Sequence, residues 1–430
     1  MNTSPFQLVV LGIFAVCILV GVGVFAISGG GRGNSVGVVN IWGTLDSNVV
    51  DTALQALRQN DKTFQDTHYV QRPAATYTAD LVNAMAAGQG PDLFLITQEY
   101  LIPFSNKIFT IPYSSVSQAT YLSSYFDEGQ LFLTPQGPQA LPFVVDPLVM
   151  YWNKTLFSSA GIAQPPTQWN DLLPIAQKLT TLSGSQVITR SAVALGAWSN
   201  ITNAKAILST LFMQAGDQIV GRGADGTYQA TFGMQLSGSA ENPSGSALRF
   251  YTDFGNPGKQ NYSWNRSLPN SANAFLAGTL AVYFGFASEY ATLASRNPNL
   301  QIGVATVPQL GTIASTYSRM TGVAISRSSQ NPQGALAIAI RLTSQSGAAA
   351  AAAVGLVPAR RDAAPDSTAN AAAAVFGRSA LIGRGWLDPS PAQTDALFGQ
   401  MVESVTSGAS TPTGAVSDAA QKLEALVPNQ

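Results

Sequence analysis

From Leu8 to Ile27 the chain reads LVVLGIFAVCILVGVGVFAI, twenty residues without a charged side chain. As a helix rising about 1.5 Å per residue, this run extends roughly 30 Å, the thickness of a bilayer's hydrocarbon core. A stretch of that length and polarity has to leave water, either into lipid or into the interior of a large protein, and its amino-terminal position favours lipid. Ser28–Ser35 (SGGGRGNS) follows with the composition of a flexible tether. The expected order is a short tail at 1–7, a transmembrane anchor at 8–27 and a Gly/Ser-rich linker at 28–35. Ala26 and Ser28 also form a small-x-small pattern compatible with signal-peptide cleavage, so cleavage stays open. Val16 before Cys17, and the position of that cysteine within the run, argue against lipid attachment there. Only the α-amino group precedes the run and Arg32 follows it, so charge does not settle the orientation.

At 430 residues the chain exceeds one ordinary core, and its length predicts two or three units. Charged residues make up 10% of the chain and the formal net charge is −1, which leaves no cationic face for nucleic acid. A single cysteine excludes an intrachain disulfide, so packing has to supply the stability. One histidine, His68, and one cysteine leave little for a zinc site. A Ser-His-Asp mechanism would have to use His68, which sits in a polar stretch and reads as a surface residue. A pair of carboxylates could still serve a glycosidase.

After the tether, Val36–Trp42 is β-rich and ends at Gly43-Thr44. Asp46 or Ser47 then caps a helix running to about Arg58. A second helix is expected over Thr78–Ala87 with Gly88 as its stop. Leu93–Ile96 is a short, wholly apolar strand of the kind buried on both faces. Strand, helix and strand in this order imply an α/β fold with a mainly parallel sheet. Asn331-Pro332 starts another helix, with Asn as cap and Pro at the first position. The alanine run 348–353 continues as helix to Gly355, and a last helix covers Asp418–Leu426. A GxGxxG match at Gly221–Gly226 is followed by an alternating strand pattern, Thr227–Phe232, and reads as a hairpin loop and not as a dinucleotide fingerprint.

Four ordered segments resemble extracellular solute-binding protein family 1, the maltose-binding-like substrate-binding proteins of ABC importers. The first is Ala86–Leu93 (AAGQGPDL). The second and most specific runs from Leu141 to Leu172 and contains LPFVVDPLVMYWNKTLF, Ala160-Gly161-Ile162, Pro165-Pro166-Thr167 and Trp169-Asn170-Asp171-Leu172. It departs from the family pattern by Trp152 for tyrosine, Gln168 before Trp169 and Asp171 for glutamate. The third is Ala274–Gly285 and the fourth Gly355–Arg360. The resemblance implies an α/β, two-lobed, periplasmic-binding-protein-like (class II) clamp after the anchor. Lobe 1 would take 36–143 plus 303–335, and lobe 2 would take 146–300 plus 340–430. Hinge crossings would lie near Val144-Val145 and Gly303-Val304.

It further implies a non-catalytic protein, held outside the cell or in the periplasm, that closes on a small solute and delivers it to an ABC permease. No cofactor, metal or catalytic residue is expected. A solute cleft needs aromatic faces and a few orienting polar groups. The loops that the family places at the cleft supply Trp42, Asp46, Glu99, Tyr100 and Asp146, and the second lobe adds Trp198, Tyr283, Phe286 and Trp386. Trp264 is a further option. Each aromatic has core packing as its rival role, and Asp46 has helix capping. A sugar or oligosaccharide is the favoured ligand. A polyamine or another small polar solute, an anchored glycan-binding protein and a glycoside hydrolase are the alternatives.

Overall fold

The computed structural model describes residues 36–185, 187–223, 225–233, 242–311, 314–363 and 371–428. The predicted tail, anchor and linker at 1–35 lie outside the described residues. Among the described residues no helix is long and apolar enough to cross a membrane.

The chain opens as the pattern predicts. Strand β1 (Val39–Gly43) is followed by helix α1 (Ser47–Asn60), which buries Val50, Ala53, Leu54 and Leu57 at helical spacing. Asp46 caps α1 by accepting from the backbone N–H groups of Asn48 and Val49. An unforeseen strand, β2 (Thr67–Gln71), pairs in parallel with β1 and presents His68 to solvent while Thr67 and Tyr69 point inward. Helix α2 (Tyr77–Ala86) ends just before Gly88, whose φ of +71° lies where glycine meets no penalty. Strand β3 (Leu93–Thr97) buries its first four residues and pairs in parallel with β1.

The element on which the fold depends is β4 (Leu141–Asn153), thirteen residues long and buried except at Asp146 and Trp152, which are half-buried. Strands β5 (Ile188–Val193), β6 (Leu280–Phe286), β7 (Ile302–Thr306) and β8 (Thr316–Ser326) complete a sheet whose main path runs β2-β1-β3-β8-β4-β6-β5. Along one edge of β4, β8 pairs with Leu141–Pro147 and β7 pairs with Val149–Asn153, both antiparallel. Along the other edge, the Val145 N–H donates to Val357 O at 2.8 Å and the Ala359 N–H donates to Phe143 O at 2.9 Å. Further on, β6 takes Leu148–Trp152. The two halves of one strand therefore hold different sets of neighbours.

Helices α3 (Leu172–Leu179), α4 (Ala204–Gln214) and α5 (Pro243–Asp253) pack with the second half of β4, and α6 (Pro332–Leu342) and α7 (Gln345–Ala353) pack with the first. Asn331 caps α6 as expected, accepting from the Gly334 N–H, with Pro332 at the first position. The remaining long helices are α8 (Ala371–Leu381), α9 (Pro391–Thr406) and α10 (Pro412–Leu426). The GxGxxG segment lies in an antiparallel hairpin, Val220–Arg222 against Tyr228–Ala230.

Residues 302–306 are held by the second half of β4, so the return passage of the chain lies on β8, which reaches from Pro147 of β4 to Leu93 of β3. Residues 340–353 stay with the first half, because Leu342 and Ala351 complete the cluster of Leu54, Ile325 and Ile338. The short methyl faces of the alanine run let α7 lie close on α1. Among the described residues three segments pass between the halves: the middle of β4, the first part of β8, and 357–360.

Met150 is fully buried in the second half of β4. Met150→Ala is expected to lower the unfolding free energy by about 2–5 kcal/mol, transfer plus cavity cost combined. A urea unfolding curve with a reduced midpoint and an unchanged slope checks this.

Candidate functional site

A cavity of about 730 Å³ opens where the loop after β3, strand β8, the approach to α4 and the first turn of α9 meet. These elements supply Glu99 and Tyr100, Tyr317 and Arg319, Trp198 with Asn203 and Lys205, and Asp395. Residues two apart on a strand share a face, so β8 sends Tyr317 and Arg319 to the same side. The Tyr317 hydroxyl donates to Glu99 Oε1 at 2.5 Å. Burial, and then the Glu99 carboxylate beside it, raise the Tyr317 hydroxyl well above the usual phenol range, so it stays a donor.

Arg319 lies over the face of Phe286, its guanidinium carbon 4.0 Å from the ring centroid, which is cation–π distance. Its Nε is 3.5 Å from Glu99 Oε2, an ion pair without hydrogen-bond geometry. Among the described residues Nε has no hydrogen-bond partner, and the side chain is 41% exposed. Its planar set of N–H groups is available to a ligand that brings acceptors.

The aromatic walls are Tyr100 and Trp198, both half-buried. Tyr100 is fixed edge-on against Phe104, with ring centroids 6.5 Å apart. The Trp198 indole lies against α9 at Gly399, where an added Cβ would come within 2.8 Å of its Nε1. Glycine at that position is what lets the ring settle on the helix.

The loop carrying Trp198 is pinned by Asn203, which takes a left-handed φ of +62° at the start of α4. Its amide donates to Glu289 Oε1 at 2.8 Å, and Glu289 also accepts from the Tyr283 hydroxyl at 2.5 Å and the Phe286 N–H at 2.8 Å. Lys205 ties α4 to the segment before α9. Its ammonium donates to Asp388 Oδ2 at 2.6 Å, Thr394 Oγ1 at 2.7 Å and the Pro391 carbonyl at 3.2 Å. Burial holds the Asp388 carboxyl above its usual range, against the pull of Lys205.

Of the residues expected at a cleft, Glu99, Tyr100 and Trp198 line this cavity. Phe286, Tyr283 and Trp386 are each about 2% exposed and stand one layer behind it. Phe286 supports Arg319, and Tyr283 supports Glu289 and through it Asn203. Trp386 donates to Ser209 Oγ at 3.1 Å beneath the Lys205 ammonium, which is 5.1 Å from its ring. Asp146 pairs across the ladder with Arg319 and accepts from the Ser288 N–H and hydroxyl at 2.9 and 2.6 Å. Burial raises its carboxyl, and the Ser288 bonds partly oppose that.

Asp46 is occupied in capping α1. Trp42 lies apart on β1 under the Arg72 guanidinium, 3.7 Å from its ring centroid. Trp264 is buried and donates to Asn200. Sequence reasoning missed Tyr317, Arg319, Asn203, Lys205 and Asp395. A usable signal existed for Arg319, the one charged residue in the otherwise uncharged run Thr316–Ser326.

The architecture is that of the α/β two-lobed binding-protein clamp. An ABC transporter solute-binding protein from Thermotoga lettingae TMO, bound with α-D-tagatose, matches with a TM-score of 0.68 at 20% identity, over 91% of this chain and 100% of that one. A cyclic α-maltosyl-1,6-maltose binding protein from Arthrobacter globiformis matches with a TM-score of 0.73 at 16% identity, over 92% of this chain and 100% of that one. Residues 61–377 match the family model described as bacterial extracellular solute-binding protein, and the chain belongs to that family. A protein of Brucella abortus (strain 2308), provisionally named as a binding protein, is 30% identical over 108 residues. That match spans 24% of this chain and 26% of the relative, about a quarter of each.

Lys205→Met leaves the Asp388 carboxylate, which is 0% exposed, without its cation. The expected loss is about 3–5 kcal/mol, and the double variant Lys205→Met/Asp388→Leu should recover much of it. Thermal unfolding of the two variants beside the parent protein checks both halves.

Proposed function

We propose that this solute-binding protein captures a sugar or oligosaccharide in the 730 Å³ cavity and presents it, closed, to an ABC permease. The observation that carries the reading is the pairing of two half-buried aromatic faces, Tyr100 and Trp198, with the partly exposed guanidinium of Arg319. Sugar rings offer C–H faces that stack on aromatic rings and hydroxyls that accept from a guanidinium. The proteins from Thermotoga lettingae and Arthrobacter globiformis, which share this fold, are described with tagatose and a cyclic maltosyl-maltose. They support a carbohydrate over a polyamine.

The two lobes meet at the three passing segments, and closure is a bend at the middle of β4, the start of β8 and 357–360. The cavity draws Glu99 and Tyr100 from one side of that line, Trp198, Asn203 and Asp395 from the other, and Arg319 from the line itself, so closing brings the two sets together. The helix proposed at 8–27 anchors the clamp to the membrane, with the cavity extracellular or periplasmic, and keeps it at high effective concentration near its permease. The reading is of a binder and not an enzyme. Glu99 is engaged by Tyr317 and Arg319, Asp146 by Ser288 and Asp46 by its helix, which leaves them poorly placed as an acid and base pair.

Isothermal titration of the full chain in detergent against maltose, maltotriose, the cyclic maltosyl-maltose, tagatose and spermidine tests this. At least one sugar is expected to bind, and Trp198→Ala and Tyr100→Ala should each weaken it about tenfold, equivalent to about 1.4 kcal/mol. Binding of spermidine alone, or sugar affinity unchanged in both variants, would overturn it.

A further inference from the structure

A second cavity, of about 460 Å³, is bounded by the turn at 127–131, the end of α4 with the 216–222 segment, and residues 384–387. Glu128 reaches β8 from this side, accepting from the Ser318 hydroxyl. Ser318 stands between Tyr317 and Arg319, and alternate strand residues point to opposite faces. The two cavities therefore lie on opposite faces of β8.

Three residues lining the second cavity keep a buried polar atom without a hydrogen-bond partner: Glu128 Oε1, Arg222 Nε and Ser315 Oγ. Glu128 is 2% exposed and Ser315 is 3% exposed. A buried polar atom left unmatched is unfavourable. All three residues line this one cavity, which gives the orphaned atoms a common neighbourhood.

The charges narrow its chemistry. Asp127 is paired with Arg361 and Arg384, at 2.5 and 3.4 Å. Asp217 accepts from the Ile219 N–H, the Gly233 N–H and the Ser244 hydroxyl. Glu128 and Arg222, by contrast, have no ion pair among the described residues. Glu128 bonds the neutral Ser318, and burial pushes its carboxyl up to about 7 against the Ser318 bond and the charge of Arg384. Arg222 lies over the Tyr228 ring at 4.5 Å, with neutral oxygens of Tyr228, Gln139 and Gly226 at 3.3–3.4 Å. Glycine at 385 leaves room beside the carboxylate, since a Cβ there would stand 2.8 Å from Glu128 Oε1. One carboxyl group and one guanidinium, neither with an ion pair among the described residues, thus line the same space.

We propose that this second cavity binds a small zwitterion, its ammonium on Glu128 and its carboxylate on Arg222, the class whose simplest members are free amino acids. Ser315 supplies a further hydrogen bond. A neutral polyol or water would satisfy the three orphaned atoms but neither charge. The site shares no lining residue with the first cavity and does not depend on that cavity's ligand.

Titration of the full chain with glycine, β-alanine, γ-aminobutyrate and L-alanine, beside glycinamide, acetate and glycerol, tests the assignment. At least one amino acid is expected to bind, and the analogues that lack one charge or both should bind about tenfold more weakly or worse. Arg222→Gln and the isosteric Glu128→Gln, each checked for an unchanged melting temperature, should lower amino-acid affinity to the same degree while leaving sugar binding intact. Trp198→Ala should leave amino-acid binding intact. No binding by any amino acid, equal binding of glycerol, or loss on Trp198→Ala without loss on Glu128→Gln would overturn the proposal, and none of these results bears on sugar capture.

Discussion

Everything in this molecule hangs on the hydrogen-bonded ladder of β4. A strand of thirteen residues, nearly all buried, exchanges one pair of partners for another at its midpoint. Its first half belongs to the sheet of β1, β3 and β8 and its second half to that of β5, β6 and β7. A backbone shared in this way transmits a bend without breaking either sheet, because each half retains its own ladder. Asp146, at the change of partners, is one of only two residues of β4 that are not fully buried. It pairs with Arg319 across the ladder and bonds Ser288 from the β6 side. The polar floor of the cavity thus stands directly on the passage between the halves.

The first cavity also shows how charge is handled in a chain with so little of it. Lys205 and Asp388 satisfy one another and hold the scaffold, where a buried, fully bonded pair serves geometry more than net stability. Glu99 is held by Tyr317 and faces Arg319. Arg319 faces the cavity, and the Phe286 ring beneath it desolvates one side of the guanidinium. One such group suffices to orient a ligand that the aromatic walls already grip.

Local elements were legible in the sequence wherever a local rule decides them. Asp46 before an amphipathic helix, Asn331-Pro332 at a helix start and the apolar run Leu93–Ile96 each carry their own signal. The motif from Leu141 to Leu172 carried the family and, with it, the clamp. Strand β2 was not legible, because its buried positions are Thr67 and Tyr69 and its neighbours are polar. The passage on β8 was not either, since a strand that serves two sheets has no composition of its own. Glu99, Tyr100 and Trp198 were among the cleft candidates, the first two because the resembled family places the loop after Leu93–Ile96 at its cleft, and all three line the first cavity. Tyr283, Phe286 and Trp386 carry the same residue types but lie behind the wall, a difference of one layer that only packing decides. Lys205 and Asn203 were missed because their roles depend on partners some eighty to one hundred and eighty positions away.

The central claim is that the two halves close about β4 on a captured sugar. It is tested most directly by the distance between spin labels on Thr44 and Ser199, both exposed and carried by different halves, in the full chain with Cys17 replaced by serine. Pulsed dipolar spectroscopy in detergent, with and without the sugar that binds, should show the distance distribution shift to shorter values and narrow on addition. A distribution unchanged at saturating sugar would contradict the account.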